Sequence, residues 1–315
     1  MKEIVPSYYS RFRCIAGACR HSCCIGWEID IDEDTLALYD DPALSLYNRL
    51  QQSIDRTDVP HFRLDREERC PFLNRQGLCD IILTLGEDSL CQICADHPRF
   101  RNFFSDRTET GLGLCCEAAA ALILQETTPM TLITREEDDG DEAADAEEAE
   151  FLALRDALFL LLQDRRIPLG GRMSAVLEVC GGKMPVKSTR EWAAIFSTLE
   201  QLDPAWQSIL DKLAVSEEPM QLPETVTPWE LQLENLAVYF LFRHLAGALE
   251  DNRLAARCTF CACSTAFIHA LFVMTCREKG SITTEGMTDL ARLYSSEIEY
   301  SEENMERLLA MLECD

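Results

Sequence analysis

Ten of the chain's sixteen cysteines fall between Cys14 and Cys116, in the order C-x4-C-x3-C-C, C-x8-C, C-x2-C and a closing C-C pair. A fold that serves this pattern must bring sulfurs from distant segments together, and that constrains the first third of the chain more than any other feature. Cysteines spaced this way without an evident export signal point to thiolate ligands of a metal or an iron–sulfur cluster rather than to disulfides. Thiolate is a soft ligand and selects zinc, copper(I) or iron–sulfur clusters over magnesium or calcium. Four cysteines satisfy one zinc ion or one cubane cluster. The first eight, Cys14, Cys19, Cys23, Cys24, Cys70, Cys79, Cys91 and Cys94, are therefore enough for two sites, or for one site with spares. Adjacent residues on a strand or a helix point in different directions, so Cys23 and Cys24 are expected to part.

Size does not demand a metal. A chain of 315 residues, 47% hydrophobic, can bury a sizeable core as one large domain or two ordinary ones. Met1 to Tyr9 shows no basic region followed by an apolar run. No uninterrupted apolar run reaches the roughly 18 residues of a membrane span; Arg243 and His244 break one of the longest. The expectation is a cytoplasmic protein, off the membrane, with reduced thiols. A formal net charge of −26 and a pI near 4.5 argue against binding nucleic-acid backbones. Such a surface suits solubility and favours cationic partners.

Along the chain, Gly26 to Asp32 alternates as a short strand, Asp32 or Asp34 caps a helix near 33–39, and Pro42 opens a second helix through Leu44, Leu46, Leu50 and Ile54. In Cys70–Ile81, Asn-Arg-Gln-Gly is a hairpin loop with Gly77 in the left-handed position. If Leu73 pairs with Leu78, Phe72 faces Cys79, and Cys70 shares the face of Cys79. A short helix over 84–90 leads to Cys91-x2-Cys94, whose spacing sets two thiolates about one turn apart, and Pro98 stops the element. A second hairpin, 99–114, delivers Cys115-Cys116 to the start of a helix over 117–125, where amide N–H groups and the helix dipole favour thiolate.

Residues 135–150 form an acidic run with almost no large apolar residue, read as a linker or loop. Beyond it, helical spacing recurs over 151–164, 191–202, 229–251, 259–276, 284–297 and 301–313, punctuated by prolines and glycines. The fold class is thus mainly α: a cysteine-cluster domain with small β-hairpins over 1–134, the acidic linker, and an all-α helical domain over 151–315.

Other candidates have plainer explanations. His21 and His97 sit beside cysteines as substitute ligands or as surface and supporting residues. Cys258, Cys261 and Cys263 begin an apolar helix and read as core thiols, while Cys180 and Cys314 read as ordinary thiols. No G-x-G-x-x-G follows a strand, so a Rossmann-type nucleotide or S-adenosylmethionine site is not supported. The ferredoxin run C-x2-C-x2-C and a zinc-finger His pair are also absent, so spacing does not choose between iron and zinc.

Several pieces together resemble one family. Tyr8-Tyr9-Ser10-Arg11-Phe12-Arg13-Cys14, Cys19-x3-Cys23-Cys24-x-Gly26-Trp27-x-Ile29-Asp30-Ile31-Asp32, Cys70-Pro71-Phe72-Leu73, Gly77-Leu78-Cys79-Asp80-Ile81, Leu85-Gly86-Glu87 and Leu90-Cys91-x2-Cys94 through Pro98-Arg99 are similar to the flagellin lysine-N-methylases. That family is related to cysteine-cluster proteins described as zinc- or iron-chelating. The resemblance covers about the first 125 residues. It implies transfer of methyl groups from S-adenosylmethionine to lysine side chains of flagellin, with a [4Fe-4S] cluster. It carries the ligand role to Cys14, Cys19, Cys23, Cys24, Cys70, Cys79, Cys91, Cys94 and Cys115. The C-x3-C-x2-C motif of ordinary radical S-adenosylmethionine enzymes is missing, because Cys19-x3-Cys23 runs directly into Cys24. The alternatives are a non-catalytic metal or cluster carrier, and an enzyme with structural zinc only. A lysine methylase must also strip the proton from its substrate amine. Asp30, Asp32 and Glu87 are candidate bases near the cysteines, and Tyr8, Tyr9 and Trp27 candidate walls for a lysine stem.

Overall fold

The computed structural model describes residues 2–137 and 145–314. Its strands and helices in order are β1 Lys2–Pro6, α1 Glu33–Tyr39, α2 Tyr47–Ser53, β2 Ile54–Asp55, β3 His61–Phe62, α3 Asp80–Leu85, α4 Gln92–Asp96, β4 Arg99–Phe103, β5 Arg107–Leu112, α5 Glu117–Leu124 and β6 Leu132–Glu137. Then come α6 Ala146–Leu162, α7 Leu169–Cys180, α8 Thr189–Phe196, α9 Pro204–Leu213, α10 Glu230–His244, α11 Ala248–Asp251, α12 Leu254–Lys279, α13 Thr284–Ile298 and α14 Glu302–Cys314. The mainly helical class holds. Residues 135–137 lie in β6 and 146–150 in α6, while 138–144 of the acidic run lie outside the described residues.

The chain divides into two compact units: Arg13–Phe100 with Cys116–Ala118, and Met1–Phe12, Arg101–Cys115 and Ala119–Asp315. The helical half therefore shares its unit with strands from the N-terminal third, and "all-α" does not describe it. A four-stranded sheet runs β4-β5-β1-β6, with β1 parallel to β5 and antiparallel to β6. The hairpin β4–β5 is local and legible; its pairing with β1 joins Lys2 to Arg107 across a hundred residues, a non-local contact that no sequence window contains.

In the cysteine unit, the core packs Ile29, Ile31, Tyr39, Leu50, Ile54, Phe62, Phe72 and Ile81 around Cys70 and Cys91. Leu50 and Phe72 are fully removed from water, each worth roughly 1.5–3 kcal/mol relative to exposure. Asp32 caps α1 through the Thr35 amide at 2.9 Å, as expected. Three local expectations are corrected. Gly26–Asp32 buries Ile29 and Ile31 in alternation but is not a named strand: it makes an isolated bridge from Asp30 to His61, next to one from the preceding Ile25 to Arg69. Residues 42–46 are turn, and α2 begins at Tyr47. The 70–81 loop has Gly77 at φ +72° as foreseen, but Leu73 pairs with Cys79 rather than Leu78. The Asn74 carboxamide causes the slip: it accepts the Gln76 and Leu78 amides and widens the loop by one residue.

In the other unit, Trp192, Phe196, Trp206, Phe267 and Tyr294 form a ring cluster, with Phe196 and Phe267 centroids 4.4 Å apart. The helix α12 runs through this core. It is long and apolar enough to cross a membrane by composition, against the sequence expectation, yet 72% of its most apolar window is buried inside the protein. A helix apolar on all sides is what a core helix requires.

Candidate metal centre

Turns and short helices bring five cysteines of the cysteine unit into one group. Cys70 and Cys91 are buried, and Cys24, Cys79 and Cys94 are half-buried and pack on the same core. Cys70 has Cys24, Cys79 and Cys91 as charge neighbours, and Cys94 has Cys91, Cys24 and Cys70. The Tyr39 phenol, held by its bond to the Ser89 carbonyl at 2.7 Å, borders Cys91, Cys94 and Cys79. Asp32 links the edges of this group: it caps α1 and also accepts the Gln92 amide at 2.7 Å, which fixes the first turn after Cys91.

Backbone N–H groups point at these sulfurs. Phe72 donates to Cys70, Ile81 and Ile82 to Cys79, and Cys94 to Cys91. Amide donors of this kind stabilise thiolate and tune metal–thiolate centres. Burial works the other way: it pushes the Cys70 thiol up to about 12 and raises Cys79. In the Cys91–Cys94 pair, the Cys94 thiol donates to Cys91, so Cys91 is held low and Cys94 well above the ordinary thiol value. Cys24 falls to about 7, because Cys23 donates to it and Ser22 and Arg69 add to that against the cost of burial. Buried thiols that resist ionisation in a cage of amide donors are a soft-metal donor set: a bound cation deprotonates them outright.

The remaining cysteines lie as follows. Cys14 and Cys23 are exposed, Cys19 and Cys116 half-buried. Cys23 has Cys24, Cys14 and Cys116 as neighbours, and Cys19 has Cys14. Cys23 and Cys24 do not part: they sit in a turn, where neither strand nor helix alternation applies, and their thiols are hydrogen-bonded. Cys115 belongs to the other unit, where it is buried and hydrogen-bonds Tyr300. Among the described residues no three His, Cys, Asp or Glu side chains stand in the geometry that holds a single metal ion. The donor chemistry is that of a soft centre.

The other sequence candidates are dispersed. Asp32 is a cap, Asp30 and Glu87 are exposed, and Tyr8 and Tyr9 are buried in the other unit. His97 is half-buried, and burial together with Arg99 lowers its pKa to about 4; His21 offers its amide to Cys19.

A polar centre in the helical unit was missed. Tyr239 donates to Glu299 at 3.0 Å and accepts from Arg243 at 2.8 Å and from the Leu114 amide at 3.2 Å. His244 Nε2 lies 2.6 Å from Glu299, and the Arg243 guanidinium sits 4.6 Å over the Tyr300 ring. Burial would raise the Glu299 carboxyl, but Arg243 and His244 outweigh it and hold the group ionised. The signal lay in α10, where Tyr239 and Arg243 stand four residues apart on an otherwise apolar helix and His244 follows directly.

Comparison with known proteins bears out the resemblance to flagellin lysine-N-methylases. Residues 186–315 match the family described as the FliB lysine N-methylase C-terminal domain, a segment that contains α8 to α14. The lysine-N-methylase of Salmonella typhimurium is 27% identical over 146 residues, 42% of this chain and 35% of that protein. That of Salmonella choleraesuis is 28% identical over 142 residues, again 42% and 35%. The flagellar biosynthetic protein FliU of Salmonella muenchen is 26% identical over 146 residues, 42% of this chain and 84% of that protein. The match spans about a third of the two lysine-N-methylases. No solved structure matches.

Proposed function

We propose that this chain, similar in sequence to the lysine-N-methylases, is a protein-lysine N-methyltransferase that acts on flagellin. S-adenosylmethionine is the donor, and a [4Fe-4S] cluster is held by the cysteine unit of a cytoplasmic protein. The observation that carries the reading is the match of residues 186–315 to a lysine N-methylase domain. The convergence of Cys24, Cys70, Cys79, Cys91 and Cys94 supports the cluster.

The chemistry sets the demands. The neutral lysine amine attacks the sulfonium methyl, a C–N bond forms as the C–S bond breaks, and the amine's proton leaves to solvent or a base. When bound, the cluster supplies redox-active iron in a desolvated setting. The chain's own part there is to present thiolates: the amides of Phe72, Ile81, Ile82 and Cys94 favour the ionised sulfurs, and the packed rings of Phe62 and Phe72, 5.1 Å apart, shut water from one side. The net charge of −26 favours approach of a basic lysine-bearing segment.

The test is incubation of the anaerobically purified, metal-loaded chain with flagellin and methyl-labelled S-adenosylmethionine, read by peptide mass spectrometry. Labelled methyl-lysine is expected. Transfer of no label by metal-loaded protein would leave the non-catalytic metal carrier as the better reading.

A further inference from the structure

We propose that Cys180 and Cys258 are a redox-sensitive pair that closes to a disulfide under peroxide and locks the end of α7 onto α12. Both residues lie in the helical unit, apart from the cysteine group assigned above. Cys180 is the last residue of α7, and Cys258 stands near the start of α12. Their thiols are hydrogen-bonded to each other, so the two sulfurs already meet in the reduced protein. The sequence reads Cys180 as an ordinary thiol because its partner lies on another helix.

The backbone around Cys180 holds the sulfurs together. Gly181 ends α7 at φ +71°, and Gly182 comes so near α12 that a Cβ there would stand 2.7 Å from Thr259 Oγ1 and 2.9 Å from the Ala255 carbonyl oxygen. The Lys183 amide donates to Thr259 Oγ1 at 3.3 Å, and the Cys263 thiol reaches Met184 Sδ at 3.9 Å. Ala255, Thr259 and Cys263 recur at intervals of four along α12, and Cys258 adjoins that stripe. The turn after Cys180 is thus clamped along α12, and closing the bridge needs no large backbone movement, the usual obstacle to a disulfide.

Packing accounts for buried thiols but not for the asymmetry of this pair. Cys180 keeps 7% of its surface in contact with solvent, beside Val179 at 57%, whereas Cys258 keeps none. The Cys258 thiol donates to Cys180, which lowers the Cys180 pKa against the cost of burial and holds Cys258 protonated. A helix C-terminus does not favour thiolate, so this donor is what activates Cys180. Cys261, one turn beyond Cys258, is pushed up chiefly by burial. The thiolate is the sulfur that attacks: Cys180, at the edge, meets a small oxidant, and Cys258, behind it, resolves the product. The Cys180 sulfur attacks a peroxide oxygen, an S–O bond forms as the O–O bond breaks, and hydroxide leaves, taking the thiol proton as water. The Cys258 sulfur then attacks the Cys180 sulfenic acid, an S–S bond forms as the S–O bond breaks, and the departing hydroxide takes the Cys258 proton as a second water. Peroxide gains the two electrons that the sulfurs lose, and a thiol reductant returns them.

The full chain, purified anaerobically in the reduced state, is treated with hydrogen peroxide, denatured in iodoacetamide and digested without reduction. Tandem mass spectrometry is expected to find Cys180 bridged to Cys258, and a thiol reductant to reverse the bridge. Alkylation of both cysteines after peroxide, or a bridge from Cys180 to Cys261 instead, would overturn the assignment. The lock is read separately. Peroxide-treated protein is expected to unfold at higher urea than reduced protein, and Cys180→Ala, treated alike, to lose that shift. Equal midpoints for bridged and reduced protein would overturn the lock. Neither readout depends on methyl transfer, and the first requires no variant to fold.

Discussion

At the residue scale, what the sequence revealed was chemistry, and what it hid was address. The cysteine spacing announced soft-metal ligands, and five of those named, Cys24, Cys70, Cys79, Cys91 and Cys94, converge. The ambiguity lay at the doublets, since Cys23–Cys24 and Cys115–Cys116 are assigned by turns and unit boundaries that spacing does not encode. Gly17 makes the point testable. Gly17→Ala forces a methyl against the Gln76 carbonyl, an overpacking that costs about 1–3 kcal/mol; urea unfolding of the cysteine unit is expected to shift to lower denaturant. His97 sets a pH dependence. Burial and Arg99 lower its folded pKa to about 4 from an ordinary 6.5, so the unfolded chain binds the proton first. Its contribution is whole above about pH 6.5 and is lost as the pH falls toward 4. Replacing His97 with Gln should flatten the unfolding midpoint across that window, and an unchanged slope would contradict the assignment.

At the element scale, long apolar periodicity was dependable for α13 and α14, which lie within a residue of where it placed them; α6 and α12 begin five residues earlier than expected, and the span 229–251 is divided into α10, a 3-10 turn and α11. The helices α7 and α9 were missed because their prolines were taken as breaks. Pro168 is the cap of α7 and Pro204 the first residue of α9, a position where proline's fixed φ and missing N–H cost nothing. The sheet was missed for a different reason, since β1 pairs in parallel with a strand far along the chain. Its anchor is an ion pair: Arg155 of α6 meets Glu109 of β5 at 2.5 and 2.7 Å, with both side chains removed from water. Arg155→Met strands the Glu109 carboxylate and should cost about 3–5 kcal/mol in chemical unfolding; the double replacement Arg155→Met, Glu109→Leu should recover much of that loss.

At the scale of the whole molecule, the grouped cysteines and the helices that match a lysine N-methylase domain fall in two compact units whose boundaries cross the sequence at 12–13, 100–101 and 115–119. The linear division at the acidic run could not foresee this, because β1, β5 and β6, all before residue 138, belong to the same unit as the helices that follow the run. If the cluster unit serves methyl transfer, the two functions must fail together. The decisive measurement is methyl incorporation into flagellin by the anaerobically loaded chain, comparing the unsubstituted protein with Cys91→Ser and with Cys180→Ala as the control thiol. Loss of both metal and methylation in Cys91→Ser, with both retained in Cys180→Ala, is the predicted result; full methylation by metal-free Cys91→Ser would contradict the account.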